Sequence, residues 1–118
     1  MSAALARLRR ICLALPEAEE RETWETPTFR VREKIFCLVG LAGPLAIWVK
    51  APRGSQELLI EAAPARFFRP PYLGHKGWVG VNLSGRPDWA EVEALVRRSY
   101  SLIAPRALAA RVATREPV

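Results

Sequence analysis

The sequence predicts an α+β fold, and three observations carry that prediction. Apolar residues Leu5, Leu8, Ile11, Cys12 and Leu15 recur at helical spacing at the start of the chain. Strand-like runs then follow one another between short turns, with 28–32 alternating and 35–39 and 45–50 largely apolar. A second long helical period begins at Asp88. Consecutive strands followed by helices, without a strand–helix–strand repeat, define the α+β class. The expected order is an N-terminal helix, an antiparallel meander sheet, a crossing helix, a further strand and a C-terminal helix. With 118 residues the chain fits one domain, 1–118, and a chain of this size buries roughly two-thirds of its unfolded surface without metal or disulfide staples.

The first helix is expected over Ala3 to Leu15, because Arg7, Arg9 and Arg10 fall mostly off its apolar face and Pro16 cannot continue the backbone ladder. The acidic stretch Glu17 to Glu25 ends in Glu22-Thr23-Trp24-Glu25, which suits a short edge strand. Pro27 sets off Thr28-Phe29-Arg30-Val31-Arg32, whose alternation puts Phe29 and Val31 on one face and both arginines on the other. Glu33-Lys34 reads as a turn, Ile35 to Val39 as a central strand covered on both faces, and Gly40 to Pro44 as a second turn. Leu45 to Lys50 completes a hairpin that Arg53-Gly54 closes.

Gln56 to Ala63 has helical composition, with Ser55 as N-cap and Leu58, Leu59 and Ala62 as the inner side. Phe67-Phe68 leads through a turn into the run Arg69 to Val81, and Gly77 to Leu83 reads as the last strand, with Val79, Val81 and Leu83 on one face. Asp88 and Glu91 frame a capping box for a long helix whose Trp89, Val92, Val96 and Ile103 face the sheet, with Arg97 and Arg98 outward. Pro105 starts a last helix carrying Leu108 and Val112, and Thr114 to Val118 is expected to fray.

The chain carries 18 Lys and Arg against 12 Asp and Glu, a net charge of +6. Residues 1 to 25 hold four Arg and five Glu, so the excess falls on the later elements, where a basic face would attract anionic partners. Cys12 and Cys37 each lie among apolar residues and read as buried free thiols of a reducing compartment. No signal peptide and no membrane span is evident, so a cytoplasmic location is expected.

One histidine and two separated cysteines match no zinc spacing, and neither a phosphate loop nor a dinucleotide fingerprint occurs. No metal or cofactor is therefore expected. His75 lacks a neighbouring nucleophile motif, and the adjacent Glu19 and Glu20 read as solvated surface, so no catalytic residue is assigned and the protein is expected not to be an enzyme. The residues permit nucleic-acid binding, to DNA or RNA. Arg30, Arg32, Lys34, Lys50, Arg53, Arg69, His75 and Lys76 would meet phosphates, and Trp78 or Tyr72 would offer a stacking surface. The alternative is a protein-interaction or small-ligand module using a groove beside Trp78 and Tyr72. Solvated strand edges and core aromatics would account for the same residues without any ligand. Trp48, Phe36 and Trp89 read as core.

Leu15-Pro16, Trp24, Pro27-x-Phe29, Lys34-x-Phe36, Lys50, Phe67-Phe68-x-Pro70-Pro71-Tyr72-x-Gly74-His75-x-Gly77-Trp78-Val79, Asp88-Trp89 and Ser99-Tyr100 follow one another in an order that resembles the MmcQ/YjbR family of small bacterial proteins. The resemblance spans nearly the whole chain. It implies an α+β fold similar to type III secretion chaperones, a cytoplasmic protein, and the description "DNA-binding protein" often given to the family, with a double-wing arrangement of hairpins. The wings would correspond to Arg30–Lys34 and Gly74–Trp78.

Overall fold

Antiparallel pairing joins six strands in the order β1-β2-β3-β4-β6-β5. The strands are β1 (Glu19–Thr23), β2 (Thr26–Val31), β3 (Lys34–Val39), β4 (Ala46–Lys50), β5 (Phe67–Phe68) and β6 (Trp78–Asn82). The helices are α1 (Ala3–Leu13), α2 (Ser55–Ala62), α3 (Trp89–Ile103) and α4 (Arg106–Ala113). These come from a computed structural model that describes residues 3–40 and 44–113. The predicted α+β order is observed. The middle of the expected 40–44 turn and the expected frayed tail lie outside the described residues.

The sheet has two unlike faces because side chains alternate along each strand. On the inner face Phe29, Cys37, Val39, Ile47, Val49, Val79 and Val81 are buried. They pack with Leu8 and Cys12 of α1, Val92, Val96 and Tyr100 of α3, and Leu108 and Val112 of α4. On the outer face Leu38, Trp48 and Trp78 form a second buried cluster, with Ile35, Phe68, Leu73 and Ile103 against it.

A bulge sets the twist between these faces. Phe29 pairs with Cys37 and Arg30 with Ile35, so Phe36 has no opposite residue on β2. The extra residue lets Phe36 turn inward beside Cys37, where its ring meets the Tyr100 ring edge-on at 5.3 Å. Lys34 and Ile35 remain available to the outer face.

Several boundaries differ from the sequence expectation. The β2–β3 turn is Arg32-Glu33, not Glu33-Lys34, and the β1–β2 turn is Trp24-Glu25, so the edge strand β1 begins at Glu19, ahead of the expected Glu22-Thr23-Trp24-Glu25, and ends at Thr23. Both turns have two central residues with positive φ (54° and 62°, then 49° and 70°), the backbone that matches strand twist in a two-residue hairpin. Phe67-Phe68 is itself a strand on β6.

On α2 the N-cap is Gly54, without a side-chain cap, and Ser55 is already helical. Leu58 is exposed, and the buried residue is Gln56, flanked by partly buried Leu59 and Ile60. Gln56 wins the inner position because its amide satisfies three polar atoms there. Asp88 caps α3 as expected by accepting from the Glu91 amide at 3.2 Å, while the Glu91 carboxylate pairs with Arg66 instead of reaching back. Trp89 is half-buried under Arg7, whose guanidinium lies 5.1 Å from the ring. Arg97 lies across α4, donating to the Val112 carbonyl, while Arg98 is exposed as expected.

Candidate nucleic-acid interface

The outer face acquires a wall because the segment after β5 folds back over it. Pro70 and Pro71 stiffen its entry, the Gly74 amide bonds the Pro70 carbonyl at 3.0 Å, and a short 3-10 turn, Gly74–Lys76, leads into β6. Gly77 (φ 87°) ends that turn in the left-handed region that glycine adopts without strain. Leu73 from this segment packs on Leu38, Trp48 and Trp78.

Gln56 holds the wall from behind. Its side-chain nitrogen donates to the Gly74 carbonyl at 2.8 Å and the Trp78 carbonyl at 2.5 Å, and its oxygen accepts from Arg69 at 3.4 Å. A Cβ on Gly74 would run into the Arg69 side chain, so glycine is what lets Arg69 cross at that point. A Cβ on Gly80 would likewise overlap the Phe68 ring, which lies over the strand.

Between this wall and the β1–β2 and β2–β3 turns lies a groove of about 860 Å³. Its floor is Ile35, Leu38, Trp48, Leu73 and Trp78. Its rim carries Arg30, Lys34 and Lys76 together with two exposed aromatics, Trp24 (66% exposed) and Tyr72 (77%). Tyr72 and Trp48 also line a neighbouring hollow of about 420 Å³, so the groove continues past Tyr72 along the outer face. A third, shallower depression of about 370 Å³ gathers Lys50, Arg53, Arg69, His75 and Lys76. Lys76 lines both the groove and this basic depression.

All but Arg32 of the residues singled out from sequence thus fall into two adjoining places. Arg30, Lys34, Lys76 and Trp78 belong to the groove, and Lys50, Arg53, His75 and again Lys76 to the basic depression. Arg32 joins neither. It sits in the β2–β3 turn, where its guanidinium donates to both Glu17 oxygens at 2.5 and 3.1 Å, and the paired hydrogen bond raises the arginine pKa while lowering that of Glu17. Trp78 is buried (7% exposed), so it is floor and not a stacking surface. Trp24 was missed because Glu22-Thr23-Trp24-Glu25 reads as strand, and its position in a tight turn shows only once the hairpin is formed.

Among the described residues, Arg30, Lys34, Lys50, Arg53, Arg69 and Lys76 form no ion pair. Arg30 is held by neutral partners: the hydroxyls of Thr28 (3.4 Å) and Thr23 (2.9 Å) and the Glu33 carbonyl (3.2 Å). The groove's carboxylate, Glu33, is bonded by Arg21 at 2.7 and 3.2 Å, which holds its pKa below the usual carboxylate value. Glu57 shares the basic depression with His75, and among the described residues no hydrogen bond to the imidazole is present that would orient it as a base. Among the described residues no group of three or more His, Cys, Asp or Glu could hold a metal ion.

A family model described as YjbR matches residues 13–102, which bears out the resemblance drawn from the motifs. The crystal structure of Deinococcus radiodurans protein DR2400, with family-model domain DUF419, superimposes with a TM-score of 0.77 at 26% identity, covering 92% of this chain and 87% of that one. No curated protein matches.

Proposed function

The chain belongs to the YjbR family, and from that premise we propose that it binds nucleic acid, DNA in the first instance, with low sequence specificity across the outer face of its sheet. The observation that supports the reading is the position of Lys76 on both depressions. It joins Arg30 and Lys34 on one side to Lys50, Arg53, Arg69 and His75 on the other, and among the described residues none of the Arg and Lys side chains in this set is ion-paired to a carboxylate. Unpaired cations along a concave surface neutralise phosphates and release the counterions condensed on them.

The cations come from strands and turns and not from a protruding helix, an arrangement suited to backbone contacts, which fix orientation but carry no sequence information. Binding without catalysis is part of the same reading, since among the described residues no hydrogen bond orients His75. So is a cytoplasmic site of action, which the two free, buried thiols favour.

Anisotropy titration of labelled oligonucleotides tests the proposal. Affinity should fall steeply between about 50 and 200 mM salt. Absence of binding at low salt with protein up to ~100 μM, the weak end of non-specific affinities, overturns it. A second reading, a protein or small-ligand module, is favoured by the apolar floor of Leu38, Trp48 and Trp78 in a groove whose volume is in the range of ligand sites. A nuclease-resistant protein partner recovered with the intact chain would support it.

A further inference from the structure

Resting on the nucleic-acid reading, we propose that the ligand is a single strand whose unpaired bases stack on Trp24 and Tyr72 above the groove while its phosphates run along Arg30, Lys34 and Lys76. The proposal stands on the two aromatics, which a phosphate-binding surface alone would not require. Trp24 and Tyr72 are the most exposed aromatic side chains among the described residues, at 66% and 77%, and both stand on the rim of the same groove. Isolated exposed aromatics are ordinary; two on facing turns over one apolar floor are a binding arrangement.

Their backbones strengthen the case. Trp24 has φ 54° and Tyr72 φ 67°, a left-handed conformation that bulky side chains rarely adopt. Such a backbone persists where the surrounding structure imposes it, and here it sets where the chain presents each ring at the groove rim. Trp24 is carried by a two-residue hairpin turn, and Tyr72 by the stiff Pro70-Pro71 entry, with the Leu73 amide bonded to the Pro71 carbonyl at 2.7 Å just beyond it.

Charge selects the occupant. Among the described residues the rim cations Arg30, Lys34 and Lys76 make no salt bridge, whereas the rim carboxylate Glu33 is bonded by Arg21, with Arg30 nearby adding to the field that lowers its pKa. An anionic chain that also carries flat apolar faces complements both rim and floor, and a single-stranded nucleic acid repeats those two features at every residue. In a duplex the base faces are already stacked on one another, so it would meet only the cations. Stacking on protein aromatics is sequence-tolerant because every base has a π-face.

The test compares an oligothymidylate with a duplex of equal length, using the full chain at one salt concentration. The single strand should bind roughly ten-fold or more tightly than the duplex. Trp24→Ala and Tyr72→Ala should each cost about ten-fold in single-strand affinity, leave duplex binding within about two-fold, and leave the salt slope unchanged because no phosphate contact is lost. Trp24→Phe and Tyr72→Phe, which keep a ring, should restore most of the loss, and an unchanged circular-dichroism melt separates lost stacking from misfolding. Equal affinity for the two forms, or alanine variants that bind the single strand as well as the wild type, overturns this inference while leaving nucleic-acid binding intact. No binding of either form overturns both. A peptide that binds the groove with Trp24-dependent affinity while oligonucleotides do not assigns the surface to protein and also overturns both.

Discussion

The Ser99 hydroxyl on α3 donates to the Phe36 carbonyl on β3 at 2.6 Å, the carbonyl of the one residue that the bulge leaves without an opposite number on β2. The same oxygen accepts from the Lys50 amide at 2.9 Å, so one buried side chain completes the hydrogen bonding of two strands. Ser99→Ala leaves both groups without this partner, the Phe36 carbonyl in the core and the Lys50 amide at its edge. Each unsatisfied buried group costs about 1–3 kcal/mol, and the variant should lose at least that much stability in urea with an unchanged denaturant slope. A loss below about 0.5 kcal/mol would show that the strands re-pair without Ser99.

Gln56 does for the groove wall what Ser99 does for the sheet. Gln56→Leu keeps the bulk but removes the donors to the Gly74 and Trp78 carbonyls. The expected outcome is a loss of about 1–3 kcal/mol. Faster hydrogen exchange should accompany it at the Lys76, Gly77 and Trp78 amides, which bond only within this segment. If exchange is unchanged there, the wall is held by Leu73 and not by Gln56.

These two residues mark the boundary of what the sequence discloses. Helical spacing in α1 and α3 and the apolar runs of β3 and β4 declare themselves because burial of one face demands a period. The basic residues near β2, β4 and the 3-10 turn were legible as a set for a similar reason, since charges gather on surface and turn positions. Gln56 was not, because a glutamine looks the same in a sequence whether it faces water or a pair of carbonyls. Nor was Trp24, because hairpin turns with two positive φ values normally announce themselves with Asn or Gly, and here Trp24-Glu25 and Arg32-Glu33 occupy them. Arg32 falls in the turn for the same reason, where one more strand residue would have carried it to the outer face beside Arg30.

Tyr100 gives the fold a dependence on alkaline pH. Its ring is buried against Phe36 and its hydroxyl donates to the Pro16 carbonyl at 2.6 Å. Burial, reinforced by the Glu17 charge and opposed by Arg111 and Arg32, raises its pKa above the ordinary 10.0. The folded state therefore holds this proton more tightly than the unfolded state does. Its stabilising contribution is complete below the unfolded pKa and is lost as pH rises through the folded one. Tyr100→Phe should lower stability at neutral pH by about 1 kcal/mol through the lost hydrogen bond. It should also flatten the decline from about pH 10, the ordinary tyrosine pKa, upward. Urea midpoints across that range check the prediction, and equal declines for the two proteins would exclude Tyr100 as the source.

Arg30 and Arg32 separate a built interface from mere net charge. Each neutral substitution lowers the same +6 by one unit. Only Arg30 stands on the groove, held by hydroxyls and a carbonyl, whereas the Arg32 charge is already opposed by Glu17. If the groove binds phosphates, Arg30→Gln should weaken binding and reduce the magnitude of the salt slope by about 0.7 for a single strand, the value of one lost contact. Arg32→Gln should leave the slope unchanged and affinity within about two-fold, since the pair lies outside the groove and exposed pairs contribute little. Equal losses from both substitutions would mean that a general positive field does the attracting, and the groove would lose its claim to the ligand.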